Sequence, residues 1–229
     1  MRADAICFDK DGTLFDFAAT WEAWAASFLL RAADDDHGRA AEIGQQIGFN
    51  LASNRFDKDS IVIAGTVQEV AAALVPFLPD MSIHTVVNLL NEEAETAPQA
   101  EAVPLAPFLD SLRRMGMLLG VATNDAEAPA RAHLDAAGVI DRFEFIAGFD
   151  SGYGGKPAAG QLLAFAKSVR VPPKRVVMVG DSTHDLQAGR AAGMQTVGVL
   201  TGLAEKTDLA PFADIVFPDI GHLPDWLTA

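Results

Sequence analysis

From residue 103 onward the chain alternates short apolar runs with segments of helical periodicity. Alternation of this kind is typical of a parallel sheet whose strands are joined by crossover helices. The sequence therefore predicts an α/β protein with a Rossmann-like parallel sheet. The apolar runs predict strands at 117–123, 143–149, 175–179, 196–200 and 214–217. The periodic segments predict helices at 126–137, 157–169 and Thr183–Ala192, with Pro157 in a first helical turn and Gly138 and Gly193 as helix ends.

One more strand is predicted near the N-terminus, where Ala5-Ile6-Cys7 leads into Phe8-Asp9-Lys10-Asp11-Gly12-Thr13. Two acids one residue apart at the end of a buried strand repel each other unless a cation or a positive side chain lies between them. A Mg²⁺ held by both would relieve the repulsion, and Asp9 could then attack an electrophile while Asp11 moves protons. Taken alone, the motif is explained equally well as a polar turn.

Further polar groups follow the other predicted strands. They are Thr123-Asn124, Lys156 and the segment 180–185, which contains Asp181 and Asp185. In a parallel sheet the ligand site lies beyond the carboxyl ends of the strands. Together the groups supply a nucleophile, a proton carrier, hydroxyl and amide donors for substrate binding, a fixed cation and further carboxylates for a metal. Phosphoryl transfer through an aspartate requires this set. Each group alone could be a helix cap or a surface lysine, but their recurrence at strand ends favours a site.

Residues 17–98 have a different character. Apolar residues there recur at helical spacing, Ile61–Ile63 is the main stretch typical of a strand, and four basic residues stand against twelve acidic ones. We interpret this segment as a helical cap domain, 17–98, inserted into a core formed by 1–16 and 99–229. Proline and small residues near its second junction suit a linker.

Composition narrows the possible partners. A chain of 229 residues with 50% apolar content can bury a full core, and a formal charge of −14 argues against nucleic acid or anionic membrane partners. No apolar run reaches membrane-spanning length and no signal-peptide pattern is present. The single cysteine, Cys7, is predicted to be a core thiol in a reducing cytoplasm. A small molecule is the expected partner, and the oligomeric state is not predicted.

The two strongest motifs carry a family resemblance. Asp9–Leu14 and 180–189, extending to Gly193, resemble the haloacid-dehalogenase-like hydrolase superfamily, within it the phosphoglycolate-phosphatase-like group with a helical cap. The resemblance covers 5–16 and 104–202. It implies that Asp9 becomes an aspartyl-phosphate, that Asp11 protonates the leaving group and then activates water, and that Thr123 and Lys156 hold the phosphoryl oxygens. It also implies Mg²⁺ at the Asp9 carboxylate, the Asp11 carbonyl group and Asp181, with Asp185 as an outer or alternative ligand.

The resemblance predicts a Mg²⁺-dependent phosphomonoester hydrolase acting on a small organic phosphate. Carbon–halogen displacement needs neither a metal nor a second acid, so Asp11 and Asp181 argue against the dehalogenase branch. A sugar-phosphate mutase and a non-catalytic phosphoacceptor domain remain as alternatives. Lys10 stands where the capped phosphatases often have an apolar residue. We expect it to be solvated, because lysine is rarely buried.

An isolated pair of cations, Arg55 and Lys58, lies in the acidic insertion. The ordinary interpretation is a surface ion pair with Asp57 and Asp59, worth about 0–1 kcal/mol. The functional interpretation is that Arg55 binds a second anionic or hydroxylated group of the substrate, as a planar guanidinium can bind a carboxylate through two hydrogen bonds.

Overall fold

The computed structural model describes residues 2–57, 59–63, 65–95, 97 and 99–229. The chain forms two compact units, Met1–Phe17 with Gln99–Ala229, and Ala18–Pro98. The strands are β1 (Ala5–Phe8), β2 (Phe49–Asn50), β3 (Arg55–Phe56), β4 (Leu118–Ala122), β5 (Phe145–Ala147), β6 (Val176–Gly180), β7 (Gln195–Val199) and β8 (Ile215–Phe217). The helices are α1 (Phe17–Ala32), α2 (His37–Gln45), α3 (Val67–Leu74), α4 (Ile83–Glu95), α5 (Leu105–Arg114), α6 (Glu127–Ala136), α7 (Gly160–Ser168), α8 (Thr183–Ala192), α9 (Lys206–Leu209) and α10 (Leu223–Thr228).

The first unit is built on a six-stranded sheet with the order β5-β4-β1-β6-β7-β8, in which every neighbouring pair is parallel. Helices lie on both faces, so the predicted α/β fold with a parallel Rossmann-like sheet is confirmed. β1 lies in the middle of the sheet, between β4 and β6. The residue after β1 therefore lies near the centre of the carboxyl edge, between the ends of two neighbouring strands.

The core divides into two layers because successive side chains of a strand point to opposite faces. Ile6 and Phe8 of β1 join a cluster with α5, α6 and α10. Ala5 and Cys7 join the opposite cluster with α7 and α8. The prediction that Cys7 is a core thiol is confirmed, and burial raises the pKa of that thiol to about 12.

Two helices of this unit differ from the sequence interpretation. Helix α5 was not predicted, although its buried residues Leu105, Phe108, Leu109 and Leu112 have helical spacing. Helix α7 begins at Gly160 rather than at Pro157. Lys156 and Pro157 are joined by a cis peptide bond, and the amide of Ala158 donates to the carbonyl of Gly155 at 3.1 Å. This turn therefore replaces the predicted first turn of the helix.

The second unit is mainly helical and also contains a short antiparallel ribbon of β2 and β3. Trp24 and Phe28 of α1 stack with their ring centroids 5.9 Å apart, and the indole nitrogen of Trp24 donates to the carbonyl of Leu90 in α4. The prediction of a strand at Ile61–Ile63 is wrong, since these residues form a 3₁₀ turn. Helix α2 was missed because it buries only Ala40, Ile43 and Gly44.

Among the described residues, no helix combines the length and the apolarity needed to cross a membrane.

Candidate active site

The predicted site residues of the first unit lie at the carboxyl edge of the sheet. Asp9 follows β1, Thr123 follows β4, and Asp181 follows β6. The amide of Asp9 still donates to the carbonyl of Val179 at 2.8 Å, so the sheet ladder holds the first site residue in place. The backbone position of the candidate nucleophile, Asp9, is thus set by the sheet and does not depend on side-chain contacts.

The turn after Asp9 needs glycine for two reasons. Gly12 has a φ of +75°, the left-handed region that L side chains rarely adopt, and its amide donates to the carbonyl of Phe15. A Cβ atom at Gly12 would also lie 2.3 Å from Oδ2 of Asp181. A Cβ atom at Gly202 would lie 1.7 Å from the same oxygen. The backbone therefore closes tightly around Asp181 from two loops, and Thr201 links them by donating to the Gly12 carbonyl at 2.6 Å.

Three buried carboxylates meet at this edge. Asp9, Asp181 and Asp185 each offer an oxygen, and these oxygens lie within 4.8 Å of one another. Nζ of Lys156 lies 2.5 Å from Oδ1 of Asp9 and 2.6 Å from Oδ1 of Asp185. One ammonium against three carboxylates leaves a formal charge of −2, which a divalent cation would balance.

The excess of carboxylates over cations also shifts the pKa values of these groups. Burial raises the pKa of Asp9 to about 7, because the attraction of Lys156 only partly offsets desolvation and the repulsion of Asp185 and Asp11. Burial, followed by repulsion from Asp185 and Asp9, raises the pKa of Asp181 well above its usual range. Burial acts to lower the pKa of Lys156, but Asp185 and Asp9 outweigh it and raise that pKa. Clustered carboxylate oxygens in a buried setting are the donor set that Mg²⁺ prefers, so these residues fit the predicted metal.

Asp185 is held by local helix-capping geometry. Ser182 is the N-cap of α8, and Oδ2 of Asp185 accepts hydrogen bonds from both the amide and the hydroxyl group of Ser182, at 3.0 and 2.7 Å. The other oxygen of Asp185 is thereby turned towards Lys156. The helix-cap interpretation and the site interpretation therefore both apply to this residue.

Asn124 and Thr123 lie between the end of β4 and the Lys156 loop. The Asn124 side chain accepts from the amide of Lys156 at 2.7 Å and donates to its carbonyl at 2.9 Å. Thr123 is buried, and its hydroxyl oxygen accepts from the amide of Asp125 at 3.0 Å. Asn124 thus fixes the backbone that carries the lysine. A direct contact of Thr123 or Asn124 with substrate stays a prediction.

The prediction that Lys10 is solvated is wrong. Its side chain is fully buried, and Nζ lies 2.8 Å from Oδ1 of Asp11, 2.8 Å from Nδ1 of His133 and 3.3 Å from Oδ2 of Asp125. Burial acts to lower the pKa of Lys10, but Asp11 and Asp125 outweigh it and raise that pKa. Lysine can be buried here because carboxylates compensate its charge.

Asp11 accepts a hydrogen bond from Lys10 at 2.8 Å and keeps 13% of its side chain exposed. Its carboxylate is not a member of the buried acidic cluster found among the described residues. Binding of the metal by the backbone carbonyl of Asp11 stays a prediction.

Sequence reasoning missed Asp125 and His133. Asp125 directly follows Thr123-Asn124, so its position after β4 was a usable signal. Burial raises the pKa of Asp125 to about 6, with Lys10 opposing the rise. His133 lies on α6 and is 1% exposed, and nothing in its local sequence distinguishes it from an ordinary helix residue.

Arg55 lies in β3 of the second unit with 69% of its side chain exposed. Its Nη1 atom is 3.3 Å from Oε1 of Glu22. Among the described residues Arg55 therefore forms the expected surface ion pair, but its partner is Glu22 and not Asp57 or Asp59. Lys58 lies outside the described residues. A role of Arg55 in substrate binding stays a prediction.

Known proteins resemble this chain in sequence and in fold. A family model described as haloacid dehalogenase-like hydrolase matches residues 3–193. The phosphoglycolate phosphatase of Xylella fastidiosa is 30% identical over 209 residues, which cover 89% of this chain and 82% of that protein. The phosphoglycolate phosphatase of Rhodospirillum rubrum is 36% identical over 120 residues, 52% of this chain and only 50% of its own length.

A solved structure shows the same architecture. The crystal structure of a predicted phosphoglycolate phosphatase from Haemophilus somnus superposes with a TM-score of 0.75, covering 99% of both chains. Its sequence identity is 18%, so this likeness concerns the fold alone.

Proposed function

Since this chain belongs to the haloacid dehalogenase-like hydrolases, we propose that it is a Mg²⁺-dependent phosphomonoester hydrolase acting on a small organic phosphate through an aspartyl-phosphate at Asp9. The family and its phosphoglycolate phosphatase relatives indicate an enzyme, a phosphatase, as the sequence predicted. The observation that carries the finer proposal is the group of Asp9, Asp181, Asp185 and Lys156 at the centre of the carboxyl edge. A candidate nucleophile, a fixed cation and a group of carboxylates that could hold a divalent metal lie together there.

The first half-reaction begins at Asp9. A carboxylate oxygen of Asp9 attacks phosphorus, the bond from phosphorus to the ester oxygen breaks, and Asp11 gives its proton to the departing oxygen. Lys156 holds positive charge beside Asp9, where the transferred group carries its negative charge. Mg²⁺, when held by Asp9, Asp181 and the Asp11 carbonyl group with Asp185 beside them, would neutralise charge on the phosphoryl oxygens.

The second half-reaction reverses the role of Asp11. Its carboxylate now takes a proton from water, the resulting hydroxide oxygen attacks phosphorus, and the bond between phosphorus and Asp9 breaks. Inorganic phosphate leaves and Asp9 returns to its carboxylate form. The partial exposure of Asp11, against the full burial of Lys10 beside it, supports this exchange with water.

We assign residues 17–98 the part of a cap domain that contributes to substrate choice. The relatives named phosphoglycolate phosphatase support a small phosphorylated acid as the substrate class. Membership of a hydrolase family argues against the non-catalytic phosphoacceptor alternative. A cytoplasmic location stays a prediction from the single cysteine.

The test is release of inorganic phosphate from p-nitrophenyl phosphate, phosphoglycolate and a panel of phosphorylated metabolites, with Mg²⁺ and with EDTA. We expect Mg²⁺-dependent release, and we expect Asp9→Asn to abolish turnover while the protein stays folded, because the amide is nearly isosteric but is not a nucleophile. Substrates are ranked by kcat/KM, which measures discrimination.

Two results would contradict the proposal. The first is steady-state activity in a homogeneous Asp9→Asn preparation shown by mass spectrometry to be free of deamidated protein. The second is phosphate transfer between sugar carbons that requires a sugar bisphosphate and releases little phosphate to water, which would identify the mutase instead.

A further inference from the structure

A second cluster of charged groups surrounds Lys10 beside the proposed site, and its members Lys10, Asp125 and His133 have no part in the steps above. Nζ of Lys10 contacts Oδ1 of Asp11 at 2.8 Å, Nδ1 of His133 at 2.8 Å and Oδ2 of Asp125 at 3.3 Å. An ammonium group has three N–H bonds and no lone pair, and Nζ of Lys10 forms hydrogen bonds with Asp11 and His133 and an ion pair with Asp125. Since Nζ can only donate, Nδ1 of His133 accepts, and the histidine is neutral with its ring proton on Nε2.

The partners that hold Lys10 are anchored in their own elements. Oδ1 of Asp125 accepts from the amide of Ala126 at 2.8 Å, at the start of α6. His133 is buried within the same helix. The Asp125 amide is bound to the hydroxyl oxygen of Thr123 at 3.0 Å. The Lys10 side chain is therefore held against the segment after β4 and against α6. Its hydrogen bond to Asp11 connects these elements to the loop after β1.

We propose that Lys10 is a positioning residue for Asp11, held in place by Asp125 and His133. This inference rests on the proposed function, in which Asp11 moves the protons. Lys10 binds one oxygen of Asp11, which leaves the second oxygen to carry the proton towards the ester oxygen. A carboxyl group held at one oxygen cannot rotate freely, and proton transfer requires hydrogen-bond geometry with the leaving oxygen.

The contacts of Lys10 distinguish a positioning role from a purely structural one. A purely structural lysine would be satisfied by the buried Asp125 and His133. The hydrogen bond to Asp11 is the contact that reaches a partly exposed group with a chemical role. The proposal therefore predicts that loss of Lys10 damages leaving-group protonation more than it damages substrate binding.

The main variant is Lys10→Met, with Lys167→Met as the matched control, because Lys167 is an exposed lysine on α7 and receives the same substitution. We expect Lys10→Met to lower kcat for phosphoglycolate about 100-fold, the scale of general acid catalysis or of a misplaced group. We expect less than about a fivefold loss with p-nitrophenyl phosphate, whose leaving oxygen needs no proton. The KM values should change little.

A double-mutant cycle separates positioning from general damage. Asp11→Asn should already show the same dependence on leaving group, so adding Lys10→Met to Asp11→Asn should change the ratio of the two rates by less than about twofold. Because Lys10→Met leaves the Asp125 carboxylate buried without its cation and could fail to fold, Lys10→Met/Asp125→Asn is the second variant, in which both charges are removed together. The same leaving-group ratio is expected for it.

A crystal structure of the folded variant gives a readout that does not need turnover. We expect the Asp11 carboxylate to leave the orientation it has beside Lys10. Equal losses on both substrates with Asp11 in its original orientation would overturn the positioning role. If the wild-type protein showed no Mg²⁺-dependent phosphatase activity, the proposed function would fail separately, and the orientation of Asp11 in the variant would still decide whether Lys10 positions it.

Discussion

Substitution of Gly12 tests whether the close approach of the first loop to Asp181 shapes the proposed metal site. Gly12 and Gly193 share a φ of +75°, so an alanine at either position meets the same backbone strain of about 1–2 kcal/mol. Alanine also reduces the entropy of the unfolded chain by an equivalent of about 0.4–1 kcal/mol, which offsets part of that strain. Gly193→Ala should therefore lower the free energy of unfolding by only about 1 kcal/mol, because its Cβ atom would have no neighbour within 4 Å.

Gly12→Ala should cost more, because its Cβ atom would lie 2.3 Å from Oδ2 and 2.4 Å from Cγ of Asp181. Asp181 is 2% exposed and must leave its rotamer to relieve the overlap, at about 0.5–1.5 kcal/mol. The total expected loss is about 2 kcal/mol. Displacement of a carboxylate from the buried cluster should also weaken Mg²⁺ binding by about 10–100-fold, the range measured when groups that orient metal ligands are changed.

Urea unfolding of both variants in EDTA measures the difference in stability, and a Mg²⁺ titration followed by the midpoint of thermal unfolding measures metal binding. Gly193→Ala should keep the Mg²⁺ response of the wild-type protein, while Gly12→Ala should need much more Mg²⁺ for the same shift. The reasoning would be refuted if the two variants lost equal stability and Gly12→Ala still bound Mg²⁺ like the wild-type protein.

Two further predictions concern Arg55 and Cys7. Arg55→Ala should lower kcat/KM for the preferred substrate by an equivalent of about 1.5–3 kcal/mol and barely alter p-nitrophenyl phosphate hydrolysis, whereas equal effects or none would leave Arg55 as the surface partner of Glu22. Cys7 should stay unreactive towards a thiol reagent at pH 8 until urea unfolds the protein, because burial raises its pKa to about 12, and rapid labelling of the native protein would show that β1 opens readily.

Local patterns were sufficient for α8 and β1, whose ends are marked by their own residues. The boundaries of α8 were predicted correctly, since the capping residues Ser182 and Asp185 begin it and Gly193 ends it in the left-handed conformation. The apolar run of β1 followed by Asp9 likewise predicted a charged group at a strand end. Short apolar segments without such signals were ambiguous, and Ile61–Ile63 was therefore assigned to the wrong structure.

The parallel pairing of strands that are distant in the chain determines which side chains meet at the carboxyl edge of the sheet. Placing β1 between β4 and β6 brings Asp9 beside Asp181 and within reach of Lys156, which is 147 residues away in the chain. Sequence alone predicted that Asp9, Asp181, Asp185 and Lys156 would lie together, because parallel strands end at a common edge. It could not predict the contacts of each side chain.

Lys10 shows that limit most clearly. The prediction that Lys10 is solvated rested on the free-energy cost of burying a charged group. The burial is stabilised by Asp125 and by His133, 123 residues away, which lie beside Lys10 only after α6 has packed against the sheet. Local sequence determined that carboxylates would stand at the strand ends. Only the tertiary structure determined which cation each of them meets, because the compensating partners are remote in the chain.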